Sequence, residues 1–239
     1  IKDGVAYLNF DNFAKEKLTY CKNVHAKGKD RKQCDVLIKK GIKISSAEIG
    51  VFATVGKAKV LVRKLPKVMI VSTGDELVEV NEIPASHQIR RSNVWTLVSL
   101  LQREGIPAQS AHIADDKIVL KEKIAEFLEE FDVLMFSGAV SKGKFDFLPE
   151  ILNELGVEKQ FHKVKQRPGK PFWFGKKGTK TVFAFPGNPV STFVGCAKYF
   201  FPWYKKCLNI EDAQLKMAAL TEDFTFKPNL HYFLNVQVL

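Results

Sequence analysis

The sequence predicts an α/β domain, running roughly from residue 67 to 208, whose mostly parallel sheet is covered by helices on both faces. From Pro66 onward, short apolar strands alternate with loops and amphipathic helices, which is the pattern of parallel sheets. Within the helical segments, apolar residues recur at intervals of three and four. In such a sheet the ligand site lies beyond the carboxyl ends of the strands, so we expect the functional residues in the loops there.

The helices and strands follow from local signals taken in chain order. Val94, Leu97 and Leu101 share one face of the first helix, and Asp116 is placed to cap the second. The expected elements are a strand at 67–73, a helix from 92 to 105, a strand at 109–113, a helix at 117–131, a strand at 132–136, a helix at 147–155, extended segments at 160–165, 171–175 and 181–185, and a long helix after Pro189.

The segments on either side of this domain are interpreted as parts of neighbouring domains. Residues 1–65 are basic and strand-like, apart from a short helix expected over 45–56. Residues 234–239 alternate apolar and polar side chains as a strand does. The chain begins with isoleucine and closes inside this pattern, so we expect a fragment divided into 1–65, 66–208 and 209–239.

Composition narrows the class of protein. With 46% hydrophobic and 26% charged residues, the 239-residue chain reads as globular, and no apolar run approaches the roughly 20 residues that span a bilayer. The first residues lack a secretory signal, so we expect a cytoplasmic protein with no membrane partner. The four cysteines are dispersed without a CxxC pair, which indicates reduced thiols and not a zinc site.

The formal net charge of +11 favours anionic ligands. A basic stretch at 27–43 raises the possibility of nucleic acid, but it has almost no aromatic residues and no known nucleic-acid-binding motif. We therefore interpret it as a solvated face and expect no nucleic-acid partner.

The loop after the first strand, STGDELV, combines hydroxyls, a glycine and two carboxylates. One interpretation is a tight turn in which Asp75 caps backbone amides. The other is a carboxylate that binds a metal or performs acid–base chemistry. This loop alone leaves both open.

The loop after the third strand, SGAVSKGKFDF, leaves glycine amides available to a phosphate just before a helix. It is not a Walker loop, because GxxxxGK requires Ser or Thr next and Phe145 follows Lys144. No GxGxxG pattern occurs, which disfavours a dinucleotide site. Asp146 either caps the following helix or holds Mg²⁺ against the phosphate.

Of two further loops, one carries two cations and the other leads into a helix. In RPGKP, two prolines stiffen a turn that aims Arg167 and Lys170, which suits an oxyanion. In PGNPVS, Pro189 enters a helix, and we expect the amides near Ser191 to face an anion.

Taken in order, the motifs STGDELV, IRRSN, IADD, SGAVSKGKFDF, FHKVKQRPGKP and PGNPVS resemble those of the molybdopterin molybdenumtransferase family, which includes MoeA and the homologous domain of gephyrin. The resemblance runs from about Val24 to the end of the chain. It implies the tail of the family's second domain, the whole three-layer α/β/α molybdopterin-binding domain, and the start of a C-terminal β domain near Leu215. The flanking pieces would be partial and β-rich.

The resemblance also implies an activity, namely insertion of molybdate into adenylylated molybdopterin with Mg²⁺-assisted release of AMP. Glu76, Asp115 and Asp146 match acidic positions important for this step, and Glu76 and Asp146 would be the metal ligands. The positions matching the pterin and molybdate neighbourhood are Thr73, Gly74, Asp75, Ser137, Gly138, Ser141, Gly143, Lys163, Arg167, Lys170, Pro171, Pro186, Gly187, Asn188, Pro189 and Ser191. The resemblance implies a homodimer for the full-length protein, in which the partner's second domain completes the site.

Several positions depart from the family pattern and add positive charge to the expected pocket. Ala139, Lys142 and Lys144 alter the loop that commonly reads SGGVSVGDYD, and Arg91 and Arg167 replace the acid of IRDSN and the first lysine of KPGKP.

Two alternative functions stay open. A molybdopterin adenylyltransferase shares the domain fold but carries a TGGTG-type loop where this chain has SGAVSKG. A non-catalytic pterin-binding or scaffold module would not need the acids. The retained acids and PGNPVS favour the transferase.

Overall fold

The computed structural model describes residues 24–138, 140, 147–210 and 217–237. The chain divides into two compact units, Ile1–Ala58 and Lys59–Leu239. In the described part of the first unit the only helix is α1 (Ser46–Thr54), which begins at a capping box. The Ala47 amide donates to Ser45 Oγ at 3.2 Å, and the Ser45 amide donates to the Glu48 carboxylate at 2.7 Å.

The segment preceding the central domain differs from the expected strand-like character. Between residues 24 and 65 the structure contains α1 and no strand. The apolar side chains that suggested strands are exposed, with Val36 at 76%. In the described part of this segment, those side chains are not packed as they would be against a sheet.

The second unit contains the remaining elements. Its strands are β1 (Val68–Thr73), β2 (Leu77–Val78), β3 (Ile89–Arg90), β4 (Ala108–Ile113), β5 (Val133–Ser137), β6 (Glu158–His162), β7 (Gln166–Arg167), β8 (Trp173–Lys177), β9 (Lys180–Phe185) and β10 (His231–Tyr232). Its helices are α2 (Ser92–Arg103), α3 (Lys117–Glu130), α4 (Leu148–Glu154), α5 (Pro189–Gly195) and α6 (Phe201–Leu208), with a π-helical turn, Cys196–Phe200, joining the last two.

Six strands form the central sheet in the order β4-β1-β5-β9-β8-β6. β1, β4, β5 and β9 run parallel, β8 is antiparallel to β9, and β6 is antiparallel to β8. The predicted mostly parallel sheet is therefore confirmed. Two short pairs, β2 with β3 and β7 with β10, lie outside it.

The strand register brings the predicted loops to one edge of the sheet. Thr73 pairs with Ile113 and Ser137 with Phe185, so β1, β4, β5 and β9 all end at the same edge. Trp173, the first residue of β8, pairs with both Ala184 and His162, which places the connection from β6 to β8 there as well.

Helices cover both faces of the sheet, which gives the expected three layers. Alternate residues of β1 face opposite sides because side chains alternate along a strand. Met69 and Val71 join the cluster that contains Leu120 and Ile124 of α3, whereas Ile70 lies in the cluster with the apolar face of α2. This burial of apolar area on both faces holds the strand ends, and hence the loops, in place.

Helix boundaries agree with the local signals, and the last helix contains one π-helical turn. Asp116 caps α3 as predicted, since Oδ1 accepts from the amides of Ile118 and Val119 at 2.8 and 2.9 Å. The single long helix predicted after Pro189 is confirmed, since α5, the π-helical turn and α6 follow one another without a break from residue 189 to 208. There the Phe201 amide bonds to Cys196 O, five residues back, and the next residue, Pro202, has no amide hydrogen to donate.

The strand predicted for the last residues also differs from the structure. The observed strand, β10, lies earlier and pairs with β7, and residues 233–237 form no strand. Residues 238 and 239 lie outside the described residues. None of the helices in the described ranges is long and apolar enough to cross a bilayer.

Candidate functional site

The loops that follow β5 and β9 are in direct contact. The Gly138 amide donates to Phe185 O at 3.0 Å, and a Cβ at Gly187 would lie 3.8 Å from the Gly138 Cα. Gly138 has a φ of +99°, which other residues rarely adopt. The predicted glycines therefore serve a close approach of two loops at the sheet edge.

A cavity of about 100 Å³ lies between these loops and the start of α2. Its lining combines hydroxyls, an amide, two guanidinium groups and one carboxylate. The lining residues are Ser72, Thr73, Glu76, Leu77, Ile89, Arg90, Arg91, Ser92, Asn93, Val94, Ser137, Gly138, Gly187 and Pro189. The structure thus brings Thr73, Glu76, Ser137, Gly138, Gly187 and Pro189, all predicted from sequence, into one cavity.

Three carboxylates come together beside this cavity. The Asp115 amide donates to Asp75 Oδ1 at 3.1 Å, so Asp75 caps an amide of the loop after β4 and not of its own turn. Burial raises the pKa of Asp115, and the negative charges of Asp75 and Glu76 raise it further. The acidic loops after β1 and β4 therefore share one electrostatic environment.

Gly74 allows Glu76 to fold back over its own loop. Its φ is +128°, and a Cβ at this position would lie 2.5 Å from Glu76 Oε2. A larger residue would be strained and would displace the carboxylate. The glycine of STGDELV thus sets the position of the neighbouring acid.

The described acids by themselves do not form a complete metal cage. Among the residues that the structure describes, no three His, Cys, Asp or Glu side chains are placed to hold a metal ion. Ser141, Gly143 and the predicted ligand Asp146 lie outside the described residues. Mg²⁺ is commonly held by one or two carboxylates plus substrate phosphates, so the oxygen donors of Glu76 and its neighbours fit that ion.

The connection from β6 to β8 forms a cationic turn, which we define as residues 163–171. The Lys163 amide donates to Phe172 O at 2.8 Å, and the Val164 amide donates to Lys170 O at 2.9 Å, which closes the turn. Lys163, Arg167 and Lys170 are exposed. The predicted cations thus project from one compact loop at the site edge of the sheet.

The cationic turn contacts the start of α5. A Cβ at Gly169 would lie 3.9 Å from Ser191 Cβ. Ser191 is buried, and both its amide and its hydroxyl donate to Asn188 Oδ1, at 3.1 and 3.3 Å. The sequence predicted this amide to face an anion, whereas the structure uses it to cap the helix.

Pro186 and Pro171, two further residues predicted to bind the ligand, lie within the loops described above. Pro186 is buried, and its carbonyl accepts a hydrogen bond from Thr192 Oγ1 at 2.8 Å. Pro171 is half-buried at the end of the cationic turn. These contacts fix the loop that follows β9 against α5.

Residues 69–206 match the family model described as "Probable molybdopterin binding domain". The chain belongs to this family. The resemblance inferred from the motifs is thereby confirmed.

Two curated relatives carry the same name. The chain is 40% identical over 218 residues to a molybdopterin molybdenumtransferase of Synechocystis, covering 90% of this chain and 53% of the relative. It is 34% identical over 206 residues to a molybdopterin molybdenumtransferase of Staphylococcus aureus, covering 85% of this chain and 49% of the relative. The chain therefore spans about half the length of the curated relatives it matches.

A solved structure supports the assignment to this family. The molybdopterin biosynthesis MoeA protein from Pyrococcus horikosii superposes with a TM-score of 0.64 at 29% identity, over 73% of this chain and 44% of that chain.

Two contacts of the molybdopterin-binding domain were not predicted from sequence. Arg91 is only 7% exposed; its Nε donates to Ser72 Oγ at 3.0 Å and its guanidinium pairs with the Glu79 carboxylate. Asn93 Nδ2 donates to Gly187 O at 2.7 Å. The IRRSN motif did mark Asn93, but no local signal links Arg91 to Glu79.

The ion pair changes how much positive charge Arg91 contributes to the pocket. From the sequence, this residue was expected to add positive charge to the pocket. Glu79 offsets that charge, and the pair joins the end of β1 to the segment that follows β2. Arg91 also donates its backbone amide to Val78 O at 3.1 Å, which further fixes the acidic loop.

Proposed function

We propose that this chain is part of an enzyme of molybdenum cofactor biosynthesis that inserts molybdate into adenylylated molybdopterin and releases AMP. The observation that carries the proposal is the meeting of Asp75, Glu76 and Asp115 beside a cavity lined by Ser137 and Gly138. The names of the relatives support it.

The charge distribution suits such a substrate. Adenylylated molybdopterin carries a pyrophosphate and an anionic dithiolene, and molybdate is an oxyanion. Lys163, Arg167 and Lys170 would attract these groups, while the Gly138 and Gly187 loops let a ligand approach the backbone closely. Binding and orientation by fixed charges would then provide most of the rate acceleration.

The acids have a different role in this proposal. Glu76 and Asp146 would hold Mg²⁺, which when bound would neutralise charge on the phosphate of the departing AMP. Burial and the charges of Asp75 and Glu76 raise the pKa of Asp115, and a nearby cation would favour its ionised form. In this proposal Glu76, Asp115 and Asp146 would supply the negative charge of the site, and the cationic turn would supply positive charge.

The full-length protein would act as a cytoplasmic homodimer in which the partner's second domain completes each site. This part of the proposal rests on the family resemblance.

The direct test is a titration of the chain with adenylylated molybdopterin and with molybdate, each with and without Mg²⁺. We expect the adenylate to bind, and Mg²⁺ to tighten that binding. Isothermal titration calorimetry measures both. Absence of binding to the adenylate under every condition would contradict the proposal.

A second test concerns the reaction itself. In the full-length parent, Asp146→Asn is expected to abolish molybdate-dependent AMP release, measured by chromatography, while the circular dichroism spectrum stays unchanged. The matched control is Asp132→Asn, whose carboxylate accepts from the Lys67 amide at 2.9 Å at the start of the strands. Undiminished AMP release by Asp146→Asn would refute the role of that residue.

A further inference from the structure

A buried glutamine holds the cationic turn from inside. Gln166 is 3% exposed, and its Nε2 donates to Pro168 O at 2.9 Å. Its Oε1 accepts a hydrogen bond from the Tyr199 hydroxyl. Both ends of the buried amide are therefore paired, and one of them bonds to the backbone of the turn.

Tyr199 provides a fixed donor for this glutamine. It lies in the π-helical turn Cys196–Phe200, and its ring stacks on Phe172 with centroids 4.4 Å apart and an interplanar angle of 18°. Burial raises the pKa of the Tyr199 phenol, so the hydroxyl keeps its proton at neutral pH. Helical π turns occur frequently at functional sites.

The backbone of the turn is restrained on several sides. A Cβ at Gly169 would lie 2.8 Å from Gln166 Nε2, so the turn packs directly on the glutamine. On the β10 side, the His231 amide donates to Lys165 O at 2.8 Å and the Phe233 amide donates to Arg167 O at 2.9 Å. The cationic side chains of the turn are exposed, whereas its other residues are buried or half-buried.

We propose that Tyr199 and Gln166 are positioning residues that fix the cationic turn for binding of a tetrahedral oxyanion such as molybdate or phosphate. The inference rests on the proposed function, because it takes Arg167 and Lys170 as the residues that bind the oxyanion. Long cationic side chains lose conformational entropy when they bind, and a backbone that is already ordered reduces the total loss. The Tyr199 hydroxyl acts through Gln166 and the Pro168 carbonyl, without touching the ligand.

The test compares Tyr199→Phe with the wild-type chain. Phenylalanine keeps the stacking on Phe172 and removes only the hydroxyl. We expect molybdate affinity, measured by calorimetry, to fall about fivefold to tenfold, the usual effect of one hydrogen bond. We also expect faster hydrogen exchange at the Gly169 amide. Gln166→Glu, which retains an acceptor for Tyr199 but loses the donor to Pro168, should weaken molybdate binding to a similar extent.

The matched control is Tyr204→Phe, a buried tyrosine on α6 of the same helical region. It should leave both molybdate affinity and Gly169 exchange unchanged. Equal affinity and equal exchange in Tyr199→Phe and wild type would overturn the positioning role while leaving the proposed function intact. A wild-type chain that binds the adenylate but neither molybdate nor phosphate would overturn the assignment of the oxyanion to this turn. Loss of adenylate binding in the wild type is the separate outcome that contradicts the proposed function.

Discussion

The backbone amide of Asp115 donates a hydrogen bond to Asp75 Oδ1 across 3.1 Å, which ties the loop after β4 to the loop after β1. This bond holds two acidic loops together although their carboxylates repel. Partial burial raises the pKa of Asp115, and that repulsion raises it further. Concentrated negative charge at a sheet edge destabilises the fold unless a cation offsets it.

The first prediction concerns Asp115→Asn. The pKa of Asp115 is raised above its ordinary value of 3.8, so the folded chain holds this proton more tightly than the unfolded chain does. The free energy of unfolding therefore falls as pH rises from the ordinary pKa through the raised one, and it stays lower at neutral pH. We expect Asp115→Asn to raise the melting temperature at pH 7 by about 1–3 °C, with no gain near pH 3.

Differential scanning calorimetry at the two pH values checks this prediction. Glu122→Gln on the exposed side of α3 serves as the control and should change the melting temperature at neither pH. Mg²⁺ should stabilise the wild type at pH 7 and so reduce the difference. A melting temperature at pH 7 that does not rise in Asp115→Asn contradicts the argument.

The second prediction concerns Gly74→Ala. The positive φ of Gly74 is expected to cost about 1–3 kcal/mol of stability in the variant. The added Cβ would also displace the Glu76 carboxylate, so AMP release in the full-length parent should fall more than the stability loss explains. Gly41 has a φ of +93° with no atom within 4 Å of an added Cβ, so Gly41→Ala serves as the control for a backbone cost without displacement of a neighbour. Urea unfolding and the AMP assay together separate the two effects, and equal activity in both variants would contradict the role of Gly74.

The third prediction concerns the ion pair between Arg91 and Glu79. Removing one partner leaves the other charge unpaired, and we expect Arg91→Met to lower the free energy of unfolding by about 1–3 kcal/mol. Arg91→Asp, which restores the acid typical of the family, should cost more because it places a carboxylate opposite Glu79.

Urea unfolding of the two variants measures the difference, and a double-mutant cycle with Glu79→Met isolates the pair. Additive effects of Arg91→Met and Glu79→Met would show that the pair carries no coupling energy and would refute the prediction.

The fourth prediction concerns Lys170→Ala. Lys170 is exposed, so its replacement should change the free energy of unfolding by less than about 0.5 kcal/mol. We expect molybdate affinity, measured by calorimetry, to fall roughly tenfold and to depend less on salt. Lys176→Ala, an exposed lysine on β8, removes the same charge and is expected to leave affinity nearly unchanged. Equal losses in both variants would mean that net charge alone attracts the oxyanion.

Much of the fold follows from local sequence signals. Apolar runs at β1 and β5, the helical spacing in α2 and the Asp116 cap each involve residues close together in the chain, so a short window is enough to detect them. The flanking segments were less predictable, since the short apolar run at 36–38 resembles a strand and yet Val36 remains exposed. A run of apolar residues indicates a preference that becomes a strand only where a partner strand is available.

For the site, the sequence by itself determined which residues occupy the loops, because strand ends and turn residues are encoded locally. Tertiary structure decided which of them meet: Asp75 bonds Asp115 40 residues away, Gln166 accepts from Tyr199 33 residues away, and Arg91 pairs with Glu79 12 residues away. Asp75 and Asp115 come together because the parallel strands β1 and β4 end in register at one edge of the sheet. No local pattern specifies that register, which arises when both faces of the sheet are buried beneath helices.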